Sequence, residues 1–395
     1  MNARVQVPAH SPLGASGASR WMKCPGSVSL SRGVEDDEDD TFSAPGQAAH
    51  SLGELCLKTG QDAWEYVGKP MMHDGGAVPV DVEMANAVQV YLDVVRKQHP
   101  DRHQGNTWIE RQFHCPTIHK LFYGTTDFIY YDEANRTLHV RDYKHGAGII
   151  IEVPWNAQTM YYACGVLEDL DLWSKVDTVV LHICQPRGFH TMGPNREWSI
   201  STEDLAKWCD ETLIPAMNKA EVSRETQSGE HCRFCPVRGS ACPQILADID
   251  ELEGMMEVLD KKGGADKLNN EQLARIRNLT AVAKIADKAA ERTMYARING
   301  GESIPGWKMV KARSNREFKP GGEGAAKKQF GDDAYTEPKL KSPAQIDDLP
   351  QGEAFTARWA FKPDAGMTVV KSDDARPVMD GSVKSLFKPV KKKGK

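Results

Sequence analysis

The stretch over residues 123–163, YGTTDFIYYDEANRTLHVRDYKHGAGIIIEVPWNAQTMYYA, constrains this chain more than any other. It reads as strand, turn, strand, loop, helix. Residues 128–131 are an aromatic and β-branched run, 132–136 are polar turn material, and 137–143 alternate with the period of a strand. If the two strands pair through that short turn, Asp127 on the first meets Asp142 and Lys144 at the end of the second. Asp142 and Lys144 are two apart and share a face, whereas Tyr143 points away. Two carboxylates and an amine at one sheet edge suit a divalent cation, with the lysine placed to steady negative charge or orient a water. A surface hairpin closed by a salt bridge is the plain alternative for an isolated D-x-K.

Three further features favour the cation. Gly124 stands three residues before Asp127, where the lack of a side chain lets substrate or backbone come close. Gln158 and Tyr162 are spaced i, i+4 on the following helix, and so share one face. His50 and Glu54 repeat that spacing on a helix expected over 48–59 and ended by Gly60. A second amphipathic helix is expected over 81–98, with Val82, Ala85, Val88, Leu92 and Val95 inward. Residues 107–114 alternate like a strand. Two readings of Glu110 stand there, a further acidic contributor or an ordinary exposed strand residue. Residues 177–185 read as a buried strand ended by Pro186-Arg187-Gly188, and Ser201 opens a helix with a capping signature. The sum is a mixed α/β (α+β) core, a small sheet flanked by helices.

The ordered set His50, Gly124-Thr-Thr-Asp127, Asp142-Tyr-Lys144 and Gln158-Thr-Met-Tyr-Tyr162 resembles the RecB-like branch of the PD-(D/E)XK nuclease superfamily. The resemblance implies a restriction-endonuclease-like core and a metal-dependent DNase, in particular an exonuclease. It implies that His50, Asp127, Asp142 and the carbonyl of Tyr143 hold Mg²⁺ or Mn²⁺. Lys144 would position the attacking water, Gln158 and Tyr162 would orient the DNA strand, and Glu54 would support the ligands. The implied substrate is DNA, single-stranded or at duplex ends. A catalytically silent DNA-binding or scaffolding protein on the same fold is the rival from another class.

Cysteine usage supplies a second centre. The chain has nine cysteines, an odd number, and no disulfides are expected in the cytoplasm, where the lack of a basic-then-apolar leader places it. Cys232, Cys235 and Cys242 form a C-x2-C-x6-C cluster with Pro and Gly between them, which points to a metal. A tetrahedral site lacks one ligand, and Cys24 or His231 could supply it. One cysteine before the nuclease motifs and three after resembles the AddB and CRISPR-associated RecB-like nucleases, where four cysteines hold a [4Fe–4S] cluster. That implies Cys24, Cys232, Cys235 and Cys242 as its ligands, with zinc as the alternative ion. The wording RWMKCPGS, EHCRFCP, IPGWKMV and SNREF is most similar to a phage and prophage family placed in this superfamily, so phage replication or recombination proteins are the implied partners.

Composition bounds the rest. At 395 residues, one to three domains are expected, and 40% hydrophobic with 27% charged residues is ordinary for a soluble globular protein. The longest apolar runs, 148–153 and 178–183, are too short to span a bilayer. Net charge is −5, but from Gly301 onward 19 basic residues face 13 acidic ones, against 31 and 42 before it. The expected division is an N-terminal segment over 1–45, a nuclease core over 46–225, the cysteine cluster over 226–245, a helical region over 246–300 and an extension over 301–395. The acidic run 35–40 reads as a solvated loop. Residues 251–259 and 271–298 read as helices, the second with an inward stripe from Leu273 to Ile298. Residues 307–311, 355–359 and 367–370 read as short strands, and KPVKKKGK as a basic tail that either aids solubility or contacts phosphates.

Overall fold

The structure is a computed structural model that describes residues 11–34, 40–73, 75–101, 105–238, 242–261, 265–313, 316–319, 321–336, 339–363, 367–371 and 376–378. The acidic residues 35–39 and the lysine-rich end fall outside the described residues. Two compact units divide the chain, residues 1–286 and 287–395.

The first unit is built on a five-stranded mixed sheet. Its elements are α1 (Asp40–Thr59), α2 (Val82–Gln98), β1 (Thr107–His114), β2 (Tyr123–Asp132), β3 (Thr137–Tyr143), α3 (Ala157–Asp169), β4 (Thr178–Cys184) and β5 (Asn195–Ser201). The strands lie in the order β1-β2-β3-β4-β5. Only β3 and β4 run parallel, joined by α3, and the other neighbours are antiparallel. The expected hairpin forms as the alternation dictates, with Asp132 opposite Thr137 and Phe128 opposite Arg141.

Alternation along the strands splits the core in two. Ile129, Leu138, Val140, Val179, Leu181 and Ile183 face α3. Phe128, Tyr130, Tyr143 and Cys184 face α1 and α2, meeting Leu52, Val88, Leu92 and Val95. Both flanking helices are capped by side chains that satisfy otherwise unpaired N–H groups. Asp81 accepts from Met84 N at 2.7 Å, and Asn156 accepts from the N–H groups of Gln158 and Thr159 at 3.1 Å each. The cap at Asn156 fixes where α3 begins, and with it the place of Gln158.

The structure departs from the sequence reading at several elements. α1 starts at Asp40 and carries Pro45 inside it, earlier than the expected start at residue 48. A two-stranded hairpin, Pro70–His73 with Gly76–Pro79, was not expected. Nor was β5, a half-exposed edge strand that buries only Arg196 and Ile200 and so lacks an apolar run. In the second unit Trp307–Lys311 pairs with Met367–Lys371, whereas Gly352–Trp359 is helical rather than extended. Its β-branched and aromatic residues read as strand, but Phe355 packs against Phe330 at 5.0 Å between ring centres, and burial overrides propensity. The long helix Asn270–Asn299 buries Leu279 of the expected stripe, with Val282 and Ala289 beside it, whereas Leu273 is 41% exposed.

The packing of α3 on the sheet leaves no spare volume. A methyl group at Gly165 would fall 2.3 Å from the buried ring of Phe113. Gly165→Ala is therefore expected to destabilise the fold by about 1–3 kcal/mol through overpacking, read as a lower urea midpoint followed by tryptophan fluorescence.

Candidate metal centre and catalytic site

The ladder between β2 and β3 ends at Phe128 and Arg141. One residue further, Asp127 replaces it with its side chain: Oδ2 accepts the N–H of Tyr143 at 2.7 Å. The same oxygen lies 3.3 Å from Nδ1 of His50 on α1, so three distant segments converge on one carboxylate. Asp142 stands beside it, 2% exposed. Lys144 Nζ lies 2.8 Å from Asp142 Oδ2 and donates to Gln158 Oε1 at 2.8 Å. The Gln158 amide donates to Tyr162 OH at 3.0 Å and, more loosely, to Asp142 Oδ1 at 3.4 Å. The i, i+4 pair on α3 thus tethers the lysine to the helix.

The arrangement brings together His50, Asp127, Asp142, Lys144, Gln158 and Tyr162. Glu54 lies one turn from His50 but pairs with Lys58 on the surface of α1. Gly124 leaves room not for a substrate but for aromatic rings, since an added Cβ would stand 3.3 Å from Phe113 and 3.8 Å from Tyr162.

Glu110 completes a trio. Its position on β1 faces Asp127, between the pairs Ile109–Phe128 and Arg111–Thr126. Ligand atoms of His50, Glu110 and Asp127 all lie within 4.8 Å of one another. Glu110 also has a φ of 50°, rare for a residue with a side chain and costly by about 1–3 kcal/mol. The alternation of β1 held a hint of this acid. What it lacked was the register that sets Glu110 opposite Asp127.

Whether these residues fit a divalent cation can be tested on their own chemistry. Asp142 Oδ2 is buried and is met by the Lys144 ammonium at 2.8 Å. Burial raises the Asp142 carboxyl, and the Asp127 charge adds to this against Lys144. Burial also pushes Glu110 up to about 8, with Asp127 adding to it. His50 would fall on burial, but the Asp127 carboxylate outweighs that and holds it up to about 9. Burial would raise Asp127 too, yet His50, the Tyr143 N–H and Lys144 keep it low. Several acids crowded around one imidazolium, three of the groups with ligand atoms within 4.8 Å of one another, fit a site for a cation with oxygen and nitrogen ligands.

The second centre lies away from the sheet edge. Cys232, Cys235 and Cys242 are buried in one small cluster with Val237, Ile245 and Val282. Cys24 joins them by packing at backbone level. Gly26 N donates to Glu225 O at 2.7 Å, and an added Cβ at Gly26 would lie 2.7 Å from Arg224 O. Gln227 N then donates to Cys24 Sγ at 3.4 Å across 203 positions of sequence. Burial pushes the Cys24 thiol up, and the charges of Cys235 and Cys242 add to it. Burial pushes Cys232 up to about 11, with Cys235, Cys24 and Cys242 adding to it. Both shifts arise mainly from burial, and among the described residues the ligand atoms gathered within 4.8 Å of one another are those of His50, Glu110 and Asp127, not these sulfurs. His231 instead faces the Gln227 carbonyl at 2.8 Å.

A family described as "Protein of unknown function (DUF2800)" matches residues 10–377 of this sequence. The chain belongs to this family. A solved structure described as "Crystal structure of SSO0001" is similar to this DUF2800 chain at 10% identity and a TM-score of 0.27, covering 61% of this chain and 89% of that one. So distant a likeness carries no statement about activity. The match to the DUF2800 family runs from before Cys24 to past the last described strand, and so takes in both centres.

Protons and a cation compete for the first centre. At pH 7 the cation-free site holds one proton on His50, raised to about 9, and one on Glu110, raised to about 8. Both must leave for these groups to act as ligands. Mn²⁺ binding is expected to release up to two protons at pH 7 and to tighten as pH rises towards 9. Calorimetry in buffers of different ionisation enthalpy measures the release, and Glu110→Gln is expected to remove one proton from it.

Proposed function

We propose that this chain is a metal-dependent DNA nuclease of the RecB-like PD-(D/E)XK type, acting as an exonuclease in phage replication or recombination. The observation that carries the reading is the meeting of Asp127, Asp142, Lys144, Gln158 and His50 at one end of two paired strands, with both carboxylates buried. Mg²⁺ or Mn²⁺ would be held by His50, Asp127, Asp142 and the Tyr143 carbonyl, with Glu110 within reach. When bound, the ion supplies Lewis-acid polarisation of a phosphoryl oxygen and lowers the pKa of water.

The chain's own residues do the positioning. Lys144, held between Asp142 and Gln158, presents an ammonium where negative charge grows on the phosphate. Gln158 fixes that ammonium and at the same time holds Tyr162, so lysine and tyrosine move as one set. Tyr162 stays protonated, because burial lifts its hydroxyl well above the ordinary range. It can therefore donate to a phosphate oxygen. Glu54 supports from outside, through the charge it adds near Glu110.

Asp127→Ala and Asp142→Ala are each expected to lower Mn²⁺-dependent cleavage of end-labelled DNA by about 10²-fold or more, and Lys144→Ala by about 10²- to 10³-fold with the ion still bound. Near-wild-type cleavage by any two of them would refute the site. A protein that binds DNA and leaves it uncut in every metal tested would be the silent scaffold instead.

For the second centre the proposed group is a [4Fe–4S] cluster on Cys24, Cys232, Cys235 and Cys242, since four buried thiols suit iron–sulfur or zinc. Joining Cys24 to the later three closes a loop around the whole sheet, and such closure stabilises in principle by roughly 5 kcal/mol. Anaerobically purified protein is expected to be brown and to contain iron. Cys24→Ser is expected to lose the iron and much of the solubility, whereas Cys56→Ser and Cys184→Ser keep the iron. Colourless protein containing zinc would place the alternative ion there.

A further inference from the structure

Two loops leave the same end of the parallel pair as Asp142 and Lys144. One spans residues 145–156, from Lys144 to the cap of α3, and the other spans 185–194, between β4 and β5. They are pinned to each other. The buried Gln185 side chain donates to Gly146 O at 2.8 Å and Ile149 O at 2.7 Å, and accepts from Ile151 N at 3.1 Å. Arg196, also buried, donates to Ile151 O at 2.8 Å and to Gln185 Oε1 at 3.1 Å. Arg187 reaches the His145 carbonyl at 3.3 Å.

These fixed loops carry large apolar side chains outward. Trp155 is 63% exposed, Phe189 88% and Met192 73%. Trp155 lies three residues before Gln158 and rests its ring on Trp198 at 5.0 Å between centres. It holds a φ of 57°, a conformation in which a bulky residue is strained. Trp198 sits on β5 in the row of Leu181 and Val140, two strands across and two residues back from Asp142, which at the usual strand spacings is about 12 Å. Parallel strands bind ligands beyond their carboxyl ends, and the two loops that carry these side chains leave the sheet at that end, as Lys144 does.

We infer that Trp155 and Phe189, flanked by Met192, form a rigid ledge on which unpaired bases of single-stranded DNA stack beside the cleavage site. The inference rests on the nuclease reading and names its substrate class. In a duplex the base faces are covered by their neighbours, while an unpaired strand offers π-faces that aromatic side chains can take without regard to sequence. Because the loops are already pinned, little ordering entropy opposes that stacking.

The test compares a labelled oligothymidylate with an abasic deoxyribose-phosphate oligomer of equal length, by fluorescence anisotropy on the full chain in EDTA. The wild-type protein is expected to bind the oligothymidylate at least about 10-fold more tightly than the abasic oligomer. Trp155→Gly and Phe189→Ala should each weaken oligothymidylate binding by about 5- to 150-fold and leave the abasic oligomer unchanged. Glycine accepts the φ of position 155 without strain, so Trp155→Gly should hold its melting temperature while losing affinity. Unchanged oligothymidylate affinity in both variants, or equal binding of the two oligomers by the wild-type protein, would overturn the ledge. Wild-type cleavage in Mn²⁺ separates the two readings. Cutting with unaltered variant affinities removes the ledge alone, and base-dependent binding without cutting removes the nuclease reading alone.

Discussion

The hydrogen bond from Tyr143 N to Asp127 Oδ2 sets the geometry of the whole sheet edge. A backbone N–H at the end of a ladder needs an acceptor, and here a side chain rather than a strand supplies it. The bond anchors Asp127 where the β2–β3 ladder stops, beside the end of β3 that carries Asp142 and Lys144. The other oxygen of the carboxylate and the approach of His50 follow from that anchoring.

The burial of so many acids has an energetic side. Asp127 and Asp142 are almost wholly buried, and Glu110 holds a strained backbone beside them. Like charges at that spacing oppose folding, and His50 and Lys144 offset them. Such arrangements persist where a further charge completes them, and clusters of shifted acids are characteristic of functional sites. The rest of the core is ordered to tolerate this. Two apolar layers, one on each face of the sheet, supply the stability that the edge gives up.

The N-terminal segment closes the first unit from the opposite side. Trp21 is fully buried, its Nε1 bonded to Gly14 O at 3.0 Å, and Ser11 Oγ donates to Leu121 O at 2.6 Å. These contacts carry Cys24 to the segment that precedes the later cysteines. The approach is so close at Gly26 that no side chain could stand there. A thiolate-binding group at that seam would join the first and last parts of the unit, where Gln227 N meets Cys24 Sγ and the later three cysteines share one buried cluster.

Sequence alone determined the parts whose signal is local. The β2–β3 hairpin, the shared face of Asp142 and Lys144, the shared face of Gln158 and Tyr162, and the capped starts of α2 and α3 all follow from side-chain period and capping chemistry within a few residues. Tertiary structure decided what depends on partners far away in the chain. β5 exists because β4 offers an edge, not because its own half-exposed residues favour extension. Gly352–Trp359 is a helix because Phe355 finds a core there. Arg141, a charged residue with no exposure at all, could be buried only once Asn195 and His99 were folded beside it. Glu110 read first as an exposed strand residue and second as a further acid of the site, until strand register set it across from Asp127. A local pattern fixes which way a side chain points, whereas register and packing fix what it meets, and the charge it carries follows from what it meets.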